Sequence, residues 1–95
     1  MDGQDYEIAM SGEVDIAFGD ELRTLGEAFA QSGRSGAVVD LAGVTFMDST
    51  GLNFLIGLRR VARERGGSVT LRRPSPACRR LLQVSAFDHV FDVSD

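Results

Sequence analysis

Residues 37–56, AVVDLAGVTFMDSTGLNFLI, decide the fold of this chain, because the spacing of their apolar residues changes from one end to the other. Residues 37–41 are short, apolar and rich in β-branched side chains, which predicts a buried strand. A turn near Gly43 and a second apolar patch predict a loop over 42–48. Beyond the loop, the apolar residues recur at helical spacing and predict a helix over 50–65.

Asp48 and Ser49 stand where this helix is expected to begin. Both side chains can accept hydrogen bonds from the free N–H groups of a first turn, and the sequence leaves open which of them is the cap. If the helical phase is extended back to Ser49, this residue is in line with Asn53, Ile56 and Arg60. That row lies at the edge of the apolar arc and is a candidate surface for a partner.

The remaining chain alternates between the two kinds of element. The apolar spacing predicts a strand at 6–10, a helix from 19 to 32, a strand at 68–71, a helix opened by Ser75 and Pro76, and a last turn with a short strand between 87 and 93. Residues 1–5 are expected to be disordered, and GEVD at 12–15 to form a loop. The alternation indicates an α/β domain in which strands 37–41 and 68–71 run parallel.

The composition indicates a single domain over residues 1–95 with one modest core. The net charge is −4, and an acidic chain is a poor candidate for nucleic-acid binding. Cys78 is the only cysteine, so a buried thiol in a reducing compartment is expected. No apolar run reaches the length of a membrane span and no signal-peptide core is present, so the expected location is the cytoplasm.

The side chains that could perform catalysis do not form a recognisable set. The sequence contains no glycine-rich phosphate loop, no metal-ligand spacing and no nucleophile elbow. Glu13, Asp15 and Asp48 suggest a group of carboxylates, but the one histidine, His89, lies in a terminal segment and is expected at the surface. We therefore expect a protein that is not an enzyme and that uses no cofactor and no metal.

Several segments together resemble the STAS family, whose best-known members are bacterial anti-sigma factor antagonists. The matching segments are DSTGL at 48–52, preceded by VVDL at 38–41 and GVTF at 43–46, together with GEVD at 12–15, RGGSV at 65–69 and PSP at 74–76. The resemblance covers nearly the whole chain, from about Glu7 to Phe91. Each fragment alone would be weak, but their order and spacing make the match specific.

The resemblance implies a fold and one departure from it. Family members have a small mixed β-sheet with helices packed mainly on one face, in agreement with the α/β pattern. They usually have a β-hairpin before the segment that corresponds to 12–15, and here only its second strand, 6–10, is apparent. The first N-terminal strand is therefore expected to be missing. The resulting bare sheet edge would invite pairing with another chain, including a second copy in a homodimer.

The resemblance also implies a phosphorylation switch. In the family, the serine after the aspartate is phosphorylated by the partner, an anti-sigma factor that is also a serine kinase, and Ser49 occupies this position. The protein would bind the kinase while Ser49 is unmodified, let go once Ser49 is phosphorylated, and be reset by a serine/threonine phosphatase. Thr50 is the alternative acceptor. The structural alternative is that Asp48 and Ser49 only cap the helix.

The expected partner surface combines the 12–15 segment with the start and the outer row of the helix. Its candidate residues are Gly12, Glu13, Asp15, Asp48, Ser49, Thr50, Gly51, Asn53, Ile56 and Arg60. Gly51 and Gly57 are candidate positions of close approach, with packing against the sheet as the equal alternative. The arginines of the helix are interpreted mainly as a solvated face, and Arg60 as a candidate pair for an acidic group of the partner; they are Arg59, Arg60, Arg63 and Arg65.

Two other functions stay open. One is a STAS regulatory or structural subunit of a larger assembly, such as an ABC-type lipid transporter or a stressosome-like complex. The other is a small-ligand-binding domain with a pocket near Gly12 and Asp48. Stable co-purification with a membrane complex would favour the first. A thermal shift with nucleotides or lipids would favour the second, because a ligand of the native state raises apparent stability.

Overall fold

The computed structural model describes residues 5–95. The first half of the chain contains β1 (Tyr6–Val14), a 3₁₀ turn (Ile16–Phe18), α1 (Gly19–Ser32) and β2 (Ala37–Met47). The second half contains α2 (Ser49–Glu64), β3 (Val69–Arg72), α3 (Pro76–Val84) and β4 (Asp92–Ser94). The predicted α/β alternation is confirmed. The expected disorder of the N-terminus and the expected absence of an earlier strand concern residues 1–4, which lie outside the described residues.

The described strands form one sheet in the order β1-β2-β3-β4, and each pairing is parallel. Val39 of β2 lies between Ile8 of β1 and Leu71 of β3, and all three are buried. The neighbours of these residues that point the other way, such as Glu7 and Asp40, are exposed or half-buried. Helices therefore cover one face and leave the other open, as the resemblance implied. Within residues 5–95 the sheet is parallel rather than mixed.

Both strands that lead to the predicted site are longer than predicted. β1 continues through the expected loop at 12–15 as far as Val14. β2 continues through the expected loop at 42–48 as far as Met47. Both loop predictions are wrong, because the two segments pair with each other and so satisfy their backbone hydrogen bonds as strands.

The glycines in these segments allow the strands to continue. The register between β1 and β2 shifts just before Ser11 and again just before Glu13, which is typical of β-bulges. Gly12 lies between the two shifts with a φ of 76°, a conformation that strains other residues. At Gly43 a Cβ atom would lie 2.9 Å from the Cβ of Ser11, so the glycine permits the close approach of the two strands.

Arg65 fastens the end of α2 to the end of α1. Its guanidinium donates hydrogen bonds to the carbonyl oxygens of Phe29 and Arg34, at 3.4 and 2.7 Å, and to that of Ala30. It also lies 5.6 Å from the centre of the Phe29 ring, within the range of a cation–π contact. The last carbonyls of a helix lack helical donors, and Arg65 supplies donors for them. Arg65 is exposed, as the interpretation of a solvated face expects, but it also joins the two helix ends.

Candidate functional site

The first turn of α2 begins with an exposed hydroxyl group, that of Ser49. Asp48 is the N-cap, and its carboxylate accepts a hydrogen bond from the N–H of Thr50 at 2.8 Å. The sequence left open whether Asp48 or Ser49 has this role, and the geometry assigns it to Asp48. Ser49 is thus the first helical residue, and it is exposed. Its hydroxyl group is accessible to another protein.

The ends of β1 and β2 bring the predicted 12–15 segment next to the start of α2. The N–H of Asp48 donates a hydrogen bond to the carbonyl oxygen of Val14 at 3.3 Å. Directly after Val14, the carboxylate of Asp15 accepts a hydrogen bond from the N–H of Ala17 at 3.0 Å and begins the 3₁₀ turn. Asp15 therefore caps the 3₁₀ turn that follows β1, and Asp48 caps the helix that follows β2, at the adjacent ends of the two strands.

Three acidic residues lie at the strand ends next to the start of α2. Glu13 is exposed, and Asp15 and Asp48 are half-buried. Within residues 5–95, none of these three carboxylates forms an ion pair with an arginine. Arg60 lies eleven residues beyond Ser49, or about 16 Å along the helix axis, which is too far to neutralise charge at the first turn. A phosphate on Ser49 would therefore add its charge to a surface that is already negative.

Gly51 holds the first turn of α2 against the strand ends. It is buried, and a Cβ atom at this position would lie 2.6 Å from the Cγ of Met47 and 3.0 Å from the Cγ1 of Val14. Gly51 thus allows the helix to start directly over β1 and β2, which favours the packing interpretation of this residue. At Gly57 an added Cβ atom would meet nothing within 4 Å, so packing against the sheet does not require a glycine there, and the close approach of a partner stays a prediction.

The outer row of α2 has the exposure that the helical phase predicted. Asn53 and Arg60 are exposed and Ile56 is half-buried, so the row runs along the border of the buried arc. Arg63 is exposed as well, but Arg59 is half-buried and donates a hydrogen bond from Nε to the carbonyl oxygen of Val90 at 3.2 Å. Arg59 therefore ties α2 to the C-terminal segment and is not part of the solvated face.

A shallow apolar groove of about 490 Å³ runs between α1 and α2. Thr50 and Asn53 form its end nearest to Ser49, and Leu22, Phe54 and Val61 contribute to its walls. The pocket that the sequence suggested near Gly12 and Asp48 is not part of this groove, whose lining includes neither residue. The groove nevertheless begins at the first turn of α2, so a partner that contacts Ser49 can reach it.

Two exposed apolar side chains near the site were not predicted. Ile16, directly after Asp15, is 82% exposed, and Phe46, two residues before Asp48, is 47% exposed. The signal for Ile16 was present in the sequence, since an apolar residue directly after an expected surface loop has no obvious place in the core. Phe46 was hidden because it stands in the apolar patch 44–47, whose residues Val44 and Met47 are buried.

The family model described as "Mlab, STAS domain" matches residues 1–93 of this chain. The chain belongs to the STAS domain family. A STAS-domain-containing protein of Pseudomonas aeruginosa is 33% identical over 93 residues, which cover 98% of this chain and 91% of that protein. The anti-sigma-B factor antagonist of Bacillus subtilis is 29% identical over 90 residues, which cover 95% of this chain and 82% of that protein. The resemblance noted in the sequence is therefore confirmed.

Solved structures confirm the STAS fold. The anti-sigma factor antagonist SpoIIAA in its unphosphorylated form superimposes with a TM-score of 0.81 at 23% identity, covering 100% of this chain and 84% of that chain. A protein of Thermotoga maritima described as a putative anti-sigma factor antagonist gives a TM-score of 0.82 at 18% identity, covering 94% of this chain and 79% of that chain. No helix within residues 5–95 is long and apolar enough to cross a membrane.

Proposed function

We propose that this protein is an anti-sigma factor antagonist that binds an anti-sigma factor kinase and is released when that kinase phosphorylates Ser49. The proposal rests on one observation above all: Asp48 caps α2, so the hydroxyl of Ser49 is exposed at the first helical position. The B. subtilis relative and an anti-sigma F factor antagonist of Paenibacillus polymyxa, 28% identical over 89 residues, support the antagonist role. In this role the protein is a regulator and a substrate, and the ATP belongs to the kinase.

The start of α2 can carry a phosphate without loss of the fold. A phosphoserine carries roughly −1.5 to −2 charges near neutral pH. The free N–H groups and the dipole at a helix N-terminus stabilise negative charge. Ser49 is exposed, so the phosphate also displaces no buried group. The effect of phosphorylation should therefore fall on the complex and not on the stability of the domain.

The complex would be sensitive to the phosphate because of what surrounds Ser49. The exposed side chain of Ile16 offers an apolar contact, while Asp15 and Asp48 supply negative charge with no ion pair among the described residues. A partner shaped for a neutral hydroxyl at this place would meet a bulky dianion. Unfavourable charge at an interface can cost several kcal/mol, and each 1.4 kcal/mol or so is a factor of ten in affinity.

The proposed partner surface contains the residues predicted from the sequence, with different roles. Glu13, Asn53 and Arg60 are exposed and are proposed to contact the partner directly. Asp48 is proposed to orient the first turn, and Gly51 to let it pack on the strands. A serine/threonine phosphatase would remove the phosphate and restore binding. We place this cycle in the cytoplasm.

The proposal is tested by tandem mass spectrometry of the protein isolated from its native cells, with the peptide that spans Ser49 sequenced. We expect a phosphate on Ser49 under at least one growth condition. The kinase is then sought with the Ser49→Ala variant, which should still bind it but cannot be modified. A Thr50→Val variant is the matched control, and it should be phosphorylated like the wild type.

Two results would contradict this proposal in different ways. If a purified kinase labels Ser49→Ala stoichiometrically and fails to label Thr50→Val, Thr50 is the acceptor and Ser49 is not. If Ser49 carries no phosphate under any growth condition, Asp48 is merely a cap, and a STAS subunit of a larger assembly becomes the better proposal. β1 has one paired side among residues 5–95, so its other edge is a candidate contact for such an assembly or for a homodimer.

A second candidate function is the binding of a small apolar ligand in the groove between α1 and α2. The groove volume, about 490 Å³, is within the range of small-molecule sites. It is open along its length, however, whereas such sites usually enclose most of the ligand surface. A thermal shift of the wild type with lipids or nucleotides that is absent in Gly57→Leu would favour this function, because Gly57 lines the groove.

A further inference from the structure

α3 presents apolar side chains on two sides. Cys78 and Leu82 point into the core and are 1% and 5% exposed. Ala77, Leu81 and Val84 follow one another at i, i+4 and i+7, which places them in a second row along the helix. Val84, at the end of this row, is 76% exposed. Leu81 is half-buried and packs against the core, whereas Val84 remains at the surface, so the core accounts for the middle of this row but not for its outer end.

Phe46 of β2 lies opposite this second row, and a groove runs between them. The side chain of Phe46 is 47% exposed and forms one wall, while Ala77, Leu81 and Val84 form the other. The groove has a volume of about 490 Å³, and we call it the α3 groove. Two of the four exposed large apolar side chains of residues 5–95 thus line one depression. Clustering of this kind indicates an interaction surface.

Arg80 is an unpaired cation in the lining of the α3 groove. It is exposed and, among residues 5–95, has no hydrogen bond and no ion pair. The neighbouring Arg79, in contrast, donates a hydrogen bond to the carbonyl oxygen of Pro74 at 3.1 Å and pairs with Asp95. A guanidinium group that is free beside an apolar surface is suited to a carboxylate that arrives with apolar side chains.

We propose that the α3 groove binds an acidic amphipathic helix of a protein partner. Two apolar side chains one turn apart on that helix would pack between Phe46 and Val84, and a carboxylate beside them would pair with Arg80. α3 has nine residues and is about 13 Å long, so a helix of two to three turns matches it. This inference goes beyond the proposed function because it does not involve Ser49.

The test uses a displayed library of random peptides about 16 residues long, or roughly four helical turns, selected against the full chain. We expect enriched peptides with apolar residues at i and i+3 or i+4 and an acidic residue within the same turns. Arg80→Glu should weaken their binding at least tenfold, and Val84→Gln severalfold. Arg63→Glu is the matched control, because Arg63 is also exposed and unpaired within residues 5–95 but lines no part of this groove; it should change binding less than twofold.

A charge exchange makes the test specific. A peptide whose acidic residue is replaced by lysine should lose binding to the wild type and regain it with Arg80→Glu. Failure of this rescue, or selected peptides that bind Arg80→Glu as well as the wild type, would overturn the proposal. Sedimentation equilibrium that shows a dimer dissolved by Val84→Gln would assign the groove to a second copy. Binding to phosphatidylglycerol vesicles that is lost in Val84→Gln, without any groove-dependent peptide, would assign it to a lipid surface.

Discussion

The chain contains two helix starts with a serine, and the two serines have opposite roles. At the start of α3, Ser75 is the N-cap, is 7% exposed, and accepts a hydrogen bond from the N–H of Cys78 at 3.3 Å. At the start of α2, Asp48 is the N-cap, and Ser49 is displaced by one residue into the first turn, where it is exposed. A single position relative to the cap therefore decides whether a serine is structural or available for modification.

The difference arises from the residues that precede and follow each serine. Ser75 is followed by proline at the first helical position, whose fixed φ and missing N–H suit that place, so the serine is the cap. Ser49 is preceded by an aspartate at the end of a strand, and the carboxylate takes the capping hydrogen bond first. The comparison teaches that an acidic residue directly before a helix can free the next hydroxyl group for another protein.

The largest expected effect is on binding at Ser49. We expect Ser49→Asp to bind the kinase partner at least tenfold more weakly, because it places a negative charge beside Asp15 and Asp48. Its free energy of unfolding should change by less than about 0.5 kcal/mol, as is usual for exposed positions. Isothermal titration with the purified kinase and urea unfolding measure the two quantities. Unchanged affinity would remove Ser49 from the interface, and the two serines would then differ in their surroundings alone.

The second effect should appear at Ser75 and in stability alone. Ser75→Ala removes the cap of α3 and leaves the N–H of Cys78 without its acceptor in a buried place. Loss of an N-cap costs about 0.5–2 kcal/mol, and we expect the upper half of this range. Ser49→Ala is the matched control and should change the free energy of unfolding by less than about 0.5 kcal/mol. Equal losses in the two variants, measured by urea unfolding, would show that Ser49 also has a capping role.

The sequence predicted α/β alternation, the helix starts and the surface row of α2, because each depends on local spacing and local capping chemistry. It did not predict the length of β1 and β2. The cause lies in Gly12 and Gly43, which look like strand ends in the sequence. In the fold they accommodate a bulge and a close strand contact, and only the pairing partner makes that visible.

Side-chain contacts between residues far apart in the chain could not be predicted from the sequence either, because they too depend on which segments meet in the fold. Arg59 and Arg65 fall on the polar side of α2 in a helical projection, yet they donate to carbonyl groups 31 to 36 residues away in the chain. Ile16 and Phe46 are exposed because no other segment packs over them, and local spacing does not show this. The candidate acceptor Ser49 was found from a motif. Its accessibility depends on the hydrogen bond from the N–H of Thr50 to Asp48. Asp48 and Ser49 are equally good capping residues, so the sequence could not show which of them accepts this bond.

The smallest expected effect is that of replacing Asp48, the residue whose capping role distinguishes Ser49 from Ser75. Asp48→Ala should lower the free energy of unfolding by about 1 kcal/mol, because the N–H of Thr50 loses its acceptor. Asp48→Asn should retain most of this energy, since asparagine is a comparably good N-cap. Urea unfolding of both variants gives the stabilities, and the initial rate of phosphorylation by the kinase separates the two roles of the carboxylate. If Asp48→Asn is as stable as the wild type but is phosphorylated more slowly, the charge of Asp48 serves the partner; if its rate is unchanged, Asp48 acts on Ser49 only by occupying the cap. No loss of stability in Asp48→Ala would mean that Asp48 does not cap α2, and the assignment of Ser49 as the freed hydroxyl would then lose its physical basis.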